Sequence, residues 1–318
     1  MQKFKEAPYL ELENYKAPKG ANFIFIPMRD NKKIRLAYWK NDKLNEEIVG
    51  TVLLQQGHNE FIEKYYECIQ ELLDRNFNVV CFDWRGQGMS DRMTTNIHKQ
   101  YIKDFSIHDD DLKFIIKEFI NVNFSRPLIG FGHSMGGCLV LSSLQELQKD
   151  FKAVILSAPM LGFKSEKFLM LLINFLSFFM PSNSYFPLSK PNMGRETPFE
   201  DNDLTTDYNR YTRTQKLVRK KPEIRLWGVT YAWIKAVKKR LEELRTIGWA
   251  ENIKTNILVI NALNDKVVSP DKIIEMQMRL PNSKIVNFND TEHEVLMEKD
   301  YTREKFWKNF DEFIESIY

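Results

Sequence analysis

Residues 132–136 (Gly-His-Ser-Met-Gly) constrain the fold of this chain more than any other segment. They match the pattern Gly-x-Ser-x-Gly, follow the apolar run 127–131, and precede a run of helical character at residues 138–147. A serine flanked by glycines between a strand and a helix is typical of a sharp, strained turn that exposes a nucleophilic hydroxyl. The segment therefore predicts a nucleophile at Ser134.

A nucleophile of this kind needs an acid and a histidine, which follow the serine in that order along the chain. Asp265 lies in the loop after the strand-like run 258–262, and His293 follows the strand-like run 285–288. His293 is the only histidine after Asp265. Asp265 could instead cap a helix before Pro270, and Asp290 is a neighbouring carboxylate. We predict that Ser134, Asp265 and His293 form a catalytic triad.

An oxyanion hole for such a nucleophile is built from two backbone N–H groups. One comes from the residue after the nucleophile, which is Met135. The other comes from the loop after the third strand, which we place at residues 51–54. In the following loop, residues 55–59 (Gln-Gln-Gly-His-Asn), we predict that the N–H of His58 is the second donor.

Composition indicates an ordinary globular protein. The 318 residues are 43% hydrophobic and 28% charged, which is enough for one large core and a modest insertion. The three cysteines form no close pair, so zinc and redox motifs are not supported, and we expect neither metal nor cofactor. Isolated cysteines and an amino terminus without an apolar core favour a cytoplasmic protein that is not secreted.

Strand-like and helical runs alternate along most of the chain, which predicts a mostly parallel sheet with helices on both faces. Helical spacing recurs near residues 61–73, 112–120 and 303–318. The strand-like runs are residues 23–26, 34–39, 52–54, 79–82, 128–131, 153–156, 257–261 and 284–288.

Residues 160–250 lack strand alternation and are predicted to form a mainly helical cap. The apolar run 168–180 within them is shorter than the roughly 20 residues of a transmembrane helix. The cap carries 16 Lys plus Arg against 9 Asp plus Glu, a net charge of +7 in a chain of net +3. Basic residues beside an apolar helix favour a surface for anionic lipid. A solvated charged face remains the alternative.

At this point the chain resembles a known group, the serine hydrolases of the α/β-hydrolase fold. It is most similar to the branch that contains bacterial lysophospholipase L2 and the monoacylglycerol lipases. The matching blocks are residues 56–65 (QGHNEFIEKY), 83–90 (DWRGQGMS), 133–137 (HSMGG) and 157–160 (SAPM), with the Asp265 loop and His293-Glu294. Where many relatives have His-Gly before the oxyanion loop, this chain has Gln56-Gly57.

The resemblance implies a mostly parallel, eight-stranded sheet, with a core of residues 1–159 and 251–318 and a cap of residues 160–250. It also implies hydrolysis of fatty acyl esters, with a lysophospholipid as the leading substrate, through an acyl-enzyme on Ser134. A monoacylglycerol lipase, a general carboxylesterase or an acyltransferase would use the same residues. A silent scaffold that binds lipid or a partner is the non-enzymatic alternative. Nucleic acid is not an expected partner, because the overall charge is nearly balanced.

Overall fold

The computed structural model describes residues 4–41, 48–124, 126–164, 180–186 and 193–318. Its centre is a nine-stranded sheet with the order β1-β2-β3-β5-β4-β7-β8-β10-β11. The strands of this sheet are β1 (Lys5–Glu6), β2 (Asn22–Pro27), β3 (Lys33–Trp39), β4 (Gly50–Gln55), β5 (Phe77–Phe82), β7 (Leu128–His133), β8 (Phe151–Ser157), β10 (Asn256–Ala262) and β11 (Ser283–Phe288). Two further strands, β6 (Lys99–Gln100) and β9 (Gly228–Val229), form a separate pair.

The sheet is parallel from β5 to β11 and antiparallel only at the β1-β2-β3 edge and where β3 meets β5. Strands β4, β5 and β7 are buried along their whole length, as expected when helices cover both faces of a parallel sheet. All eight predicted strands are present. The predicted strand number is wrong by one, because β1 has only two residues and no alternation of its own to detect.

Helices pack on both sides of the sheet. They are α1 (Tyr66–Asp74), α2 (Ser106–Ile115), α3 (Ser134–Leu147), α4 (Tyr208–Lys220), α5 (Tyr231–Arg245), α6 (Pro270–Gln277) and α7 (Asp300–Ile317). Apolar residues of α2, α3 and α5 join one core cluster, and those of α1 and α7 join another. These two clusters match the prediction of a sheet covered on both faces.

Between β8 and β10 the regular elements of the described residues are helices, and α4 and α5 are the longest of them. The exception is β9, which pairs in parallel with β6 over two residues. Apart from Met180, the apolar run 168–180 lies outside the described residues. In the part of the chain that the structure describes, no helix is both long and apolar enough to cross a membrane. The limits of the cap, residues 160–250, stay a prediction.

Candidate active site

Ser134 lies at a tight turn between β7 and α3. Its φ of 50° is in the left-handed region, which non-glycine residues rarely adopt. A Cβ on Gly132 would lie 2.6 Å from the Cα of Gly137, and one on Gly136 would lie 2.5 Å from the carbonyl oxygens of Gln55 and Gln56. The glycines therefore allow the first turn of α3 to pack directly against the end of β4.

The structure brings the three predicted triad residues together from separate loops. His293 Nε2 is 2.9 Å from Ser134 Oγ, and His293 Nδ1 is 2.6 Å from Asp265 Oδ2. All three side chains are buried. A carboxylate can only accept, so Nδ1 carries the proton and Nε2 is free to accept from the serine hydroxyl. This is the arrangement that activates a serine for attack on an acyl carbon.

Asp265 is held by the loop that carries it. Its Oδ1 accepts hydrogen bonds from the N–H groups of Val267 and Val268, at 2.7 and 2.9 Å. The residue that precedes α6 is Ser269, so Asp265 is not the cap of that helix. Asp290, the neighbouring carboxylate, is exposed. The orienting hydrogen bond to His293 therefore comes from Asp265.

The loop after β4 lies beside the nucleophile, since a Cβ on Gly57 would be 3.0 Å from Ser134 Cβ. The N–H of Gly57 is used by the Glu60 carboxylate. Within the described residues the N–H of His58 has no acceptor. Met135 is in the first turn of α3, where amides lack a helical acceptor. The assignment of His58 and Met135 as oxyanion donors stays a prediction that this arrangement fits.

Two further histidines lie near the nucleophile, and both are buried in a neutral form. His58 packs against Trp233, with ring centroids 4.9 Å apart, and burial lowers its pKa to about 4. His133 lies against His293 and its Nδ1 is 3.1 Å from the carbonyl oxygen of Ser157; burial also lowers its pKa to about 4. A base is needed at Nε2 of His293 alone.

Gln56 fits its site despite the departure from the family pattern. Its Nε2 donates to Asp83 Oδ1 at 3.2 Å, and its backbone oxygen accepts from Trp84 Nε1 at 2.9 Å. Asp83 also accepts from Arg35 Nε at 2.7 Å, and both side chains are fully buried. A Cβ on Gly88 would overlap the Asp83 carboxylate. Asp83 therefore braces the oxyanion loop and does not face a substrate.

Sequence reasoning missed a buried charged cluster next to the triad. Lys64 Nζ is 2.6 Å from both Glu60 Oε1 and Glu294 Oε1. Burial opposes ionisation of Glu60, but the charge of Lys64 and the hydrogen bonds from Lys64 and Tyr65 outweigh it and lower its pKa to about 2. Burial raises the pKa of Glu294. The i,i+4 spacing of Glu60 and Lys64 in the sequence could have indicated their ion pair. The ion pair of Lys64 with Glu294 joins residues far apart in the sequence, so only the structure reveals it.

The triad opens onto a cavity of about 400 Å³. Ser134, His293 and the oxyanion loop form its inner wall. Residues of the predicted cap form the outer wall: Thr197, Leu204, Tyr211, Gln215, Val218 and Arg225. Across the described ranges, no group of three or more His, Cys, Asp or Glu side chains is arranged to hold a metal ion. The cavity thus has the Ser134 hydroxyl, hydrogen-bonded to His293, at its inner wall.

Known proteins similar in sequence cover most of this chain. A probable lysophospholipase L2 of Haemophilus influenzae is 24% identical over 288 residues, 89% of either chain. Lysophospholipase L2 of Escherichia coli (strain K12) is 26% identical over 269 residues, 79% of this chain and 76% of the relative.

Solved structures share the fold. A soluble variant of monoglyceride lipase from Saccharomyces cerevisiae, in complex with a substrate analogue, aligns with a TM-score of 0.75 at 15% identity, over 96% of this chain and all of that one. The family model described as "Serine aminopeptidase, S33" (Hydrolase_4) matches residues 46–300. The chain thus has the α/β-hydrolase fold and belongs to the S33 (Hydrolase_4) family.

Proposed function

We propose that this protein hydrolyses carboxylic esters of fatty acyl chains, with lysophospholipids as the leading substrates, through an acyl-enzyme on Ser134. The observation that carries the proposal is the hydrogen-bonded chain from Asp265 through His293 to Ser134, at the wall of a cavity of about 400 Å³. The lysophospholipase L2 relatives, matched over 79% and 89% of this chain, support the substrate class.

In the proposed reaction, His293 Nε2 takes the proton of the Ser134 hydroxyl as Oγ attacks the ester carbonyl carbon. The N–H groups of His58 and Met135 stabilise the negative oxygen of the tetrahedral intermediate. The imidazolium then gives its proton to the leaving alcohol, and an acyl-enzyme remains. His293 then takes a proton from water as the water oxygen attacks the acyl carbonyl carbon, and it gives that proton to Ser134 Oγ as the acyl–oxygen bond breaks, which releases the fatty acid.

Two other substrate classes share this chemistry. A monoacylglycerol lipase of Mycolicibacterium smegmatis is 27% identical over 110 residues, 35% of this chain and 38% of that protein. Peptide hydrolysis is the activity in the description of the family model. We rank lysophospholipids first because the L2 relatives match over more than twice as much of the chain.

The test is a panel of substrates that differ in their leaving groups. Lysophosphatidylethanolamine, a monoacylglycerol with the same acyl chain, a short p-nitrophenyl ester and an aminoacyl p-nitroanilide are each incubated with wild type and with Ser134→Ala. We expect the highest kcat/KM for the lysophospholipid, and loss of all ester turnover in the variant. A Ser134→Ala protein that kept its activity would refute the mechanism, and a preference for the anilide would replace the substrate class.

We also propose a peripheral contact with anionic membranes through α4. The exposed cations on this helix include Lys216, Arg219 and Lys220. Other basic residues of the predicted cap are engaged elsewhere: Arg210 and Arg213 bind Glu67 of α1, and Arg240 binds Asp109 of α2. The cap charge therefore divides into cations paired with carboxylates, Arg219 with Glu196 among them, and the exposed Lys216 and Lys220, which have no carboxylate partner among the described residues and are left to attract lipid head groups.

A further inference from the structure

Arg225 lines the same cavity as Ser134 and His293 and has no anionic partner there. It follows the short turn Pro222–Ile224 and is half-buried. Its Nη1 donates to Gln215 Oε1 at 3.3 Å, a long hydrogen bond to a neutral group. Among the residues that the structure describes, no carboxylate lies within ion-pair distance of its guanidinium. Glu196, the acid that attracts it from further away, is bound to Arg219.

Two other arginines in the interior, Arg35 and Arg210, have carboxylate partners. Arg35 binds Glu63 and Asp83, and Arg210 binds Glu67; in both arginines burial opposes the charge, but the carboxylates raise the pKa. For Arg225, burial lowers the pKa, because no bonded carboxylate compensates. A guanidinium remains charged at neutral pH even so. A partly desolvated charge without an anionic partner is costly, so we expect Arg225 to bind an anion that the protein itself does not supply.

The backbone around Arg225 is tied to the oxyanion loop. Leu226 donates its N–H to Asn59 Oδ1 at 2.7 Å, and its carbonyl accepts from Asn59 Nδ2 at 3.2 Å. The carbonyl oxygen of Arg225 lies 2.8 Å from His98 Nδ1. Asn59 is the residue after His58, the predicted oxyanion donor. The position of Arg225 is therefore fixed relative to the group expected to hold the scissile carbonyl.

The acids of the cavity do not neutralise this cation. Glu60 and Glu294 share Lys64, and Asp203 is 3.4 Å from Lys266. Asp201 is exposed at the rim, where water screens its charge. Among the described residues that line this cavity, Arg225 is thus the cation that is left available for a bound anion.

We propose that Arg225 binds the phosphodiester of a lysophospholipid while its acyl ester lies at Ser134, and so makes the site prefer lysophospholipids over monoacylglycerols. The inference rests on the function proposed above. A phosphodiester carries one negative charge and two free oxygens, which match the paired N–H donors of a guanidinium. A monoacylglycerol has no group that would use this charge.

The first test compares two substrates that differ only in the phosphate-containing head group, 1-palmitoyl-lysophosphatidylethanolamine and 1-monopalmitoylglycerol. A hydrogen bond to a charged group contributes about 1.5–3 kcal/mol, which corresponds to roughly 10- to 150-fold. We expect Arg225→Gln to lower kcat/KM for the lysophospholipid by about that factor, mainly through KM. We expect the same variant to change kcat/KM for the monoacylglycerol less than about twofold, and Arg225→Lys to recover part of the loss.

Lys239→Gln is the matched control, since it removes an exposed cap charge on α5 that is bonded to Asp104 and lies outside the cavity lining. It should leave both substrates unchanged. Equal losses on both substrates in Arg225→Gln, or no loss on either, would overturn the proposal.

A second measurement does not depend on turnover. Binding of sn-glycero-3-phosphoethanolamine to the Ser134→Ala protein is measured by calorimetry, with and without Arg225→Gln. Binding that is lost with Arg225 supports the phosphate site even if no ester is hydrolysed, in which case the proposed function fails alone. If the wild type hydrolyses the ester but Arg225→Gln does not change head-group binding, the phosphate site is overturned and the proposed function stands.

Discussion

The two oxygens of Asp265 have different partners, and this division decides which nitrogen of His293 carries the proton. Oδ1 accepts from two backbone N–H groups of its own loop, and Oδ2 accepts from His293 Nδ1. A side chain with an N–H donor in place of Oδ2 would keep the hydrogen bonds of the loop and would move the proton of His293 from Nδ1 to Nε2. The geometry at Asp265 can therefore be tested separately from its charge.

We predict that Asp265→Asn lowers kcat by about 10³- to 10⁴-fold with little effect on stability. The amide oxygen can keep the bonds from Val267 and Val268, so the amide NH₂ must face His293. Nδ1 then becomes an acceptor, and the proton moves to Nε2, which can no longer take the serine proton. The measurement is the steady-state rate with a p-nitrophenyl ester, beside a thermal melt.

Lys64 is the single cation between two buried carboxylates, and we predict that Lys64→Met is strongly destabilising. Removing one partner of a buried ion pair costs about 3–5 kcal/mol, because the remaining charges are left uncompensated. Glu60 also binds the N–H of Gly57 in the oxyanion loop, so kcat should fall as well. Urea unfolding at neutral pH measures the first effect, and ester hydrolysis measures the second.

Lys64→Arg is the control for this variant, since it keeps the charge at a slightly different length. It should retain most of the stability that Lys64→Met loses. If Lys64→Met unfolded at the same urea concentration as wild type, the prediction that the charges of this cluster stabilise the fold would be wrong.

At the scale of elements, one carboxylate on α1 accepts hydrogen bonds from two arginines of α4. Glu67 accepts from Arg210 Nη2 at 2.6 Å and from Arg213 Nη2 at 2.7 Å. Burial opposes ionisation of Glu67, but hydrogen bonds and charges from Arg210, Arg213 and Arg303 outweigh it and lower the pKa to about 2. This carboxylate is therefore a pH-dependent tie between α4 and α1.

The pKa of Glu67 is depressed in the folded state, so its contribution is present above pH 4.5 and is lost as the pH falls towards 2. We predict that Glu67→Gln lowers the free energy of unfolding by about 1.5–3 kcal/mol at pH 7, from the loss of charged hydrogen bonds. The difference from wild type should shrink progressively below pH 4.5. Urea titrations at pH 7, 4.5 and 3 measure this.

Glu315→Gln is a suitable control, because this glutamate is exposed on α7 and has no arginine partner in the described ranges. Its difference from wild type should be near zero at each pH. A Glu67→Gln difference that stayed constant from pH 7 to pH 3 would mean that packing, and not the charge, joins α4 to α1.

The same scale shows what the sequence could and could not predict. The eight longer strands carry apolar runs that mark burial, but β1, β6 and β9 have two residues each and exist only because a partner strand is nearby. Ser134, Asp265 and His293 could be predicted because a strained turn and a fixed chain order leave few candidates. Lys64 with Glu294, and Arg225 with the cavity, pair residues far apart in sequence, and no local pattern encodes those contacts.

At the scale of the whole molecule, charge is unevenly distributed between the predicted cap and the rest of the chain. The cap has a net charge of +7, while the whole chain has +3. Some of these basic residues form ion pairs with the core, as Arg210 does with Glu67. Of the three lysines on and just after α4, Lys216 and Lys220 are exposed and Lys221 is half-buried, and in our proposal these three contact the membrane surface.

We predict that the protein binds vesicles that contain anionic lipid more tightly than neutral vesicles, and that salt weakens this binding. Each lysine near an anionic surface contributes about 1 kcal/mol, so replacing Lys216, Lys220 and Lys221 by Glu should reduce vesicle binding by at least roughly 100-fold. The control replaces Lys117, Lys149 and Lys308, exposed lysines outside the predicted cap, by Glu. Both triple variants have the same net charge, so co-sedimentation separates a local surface from overall charge. Equal losses in the two variants would show that net charge alone drives the binding, and equal binding to neutral and anionic vesicles would remove the membrane contact altogether.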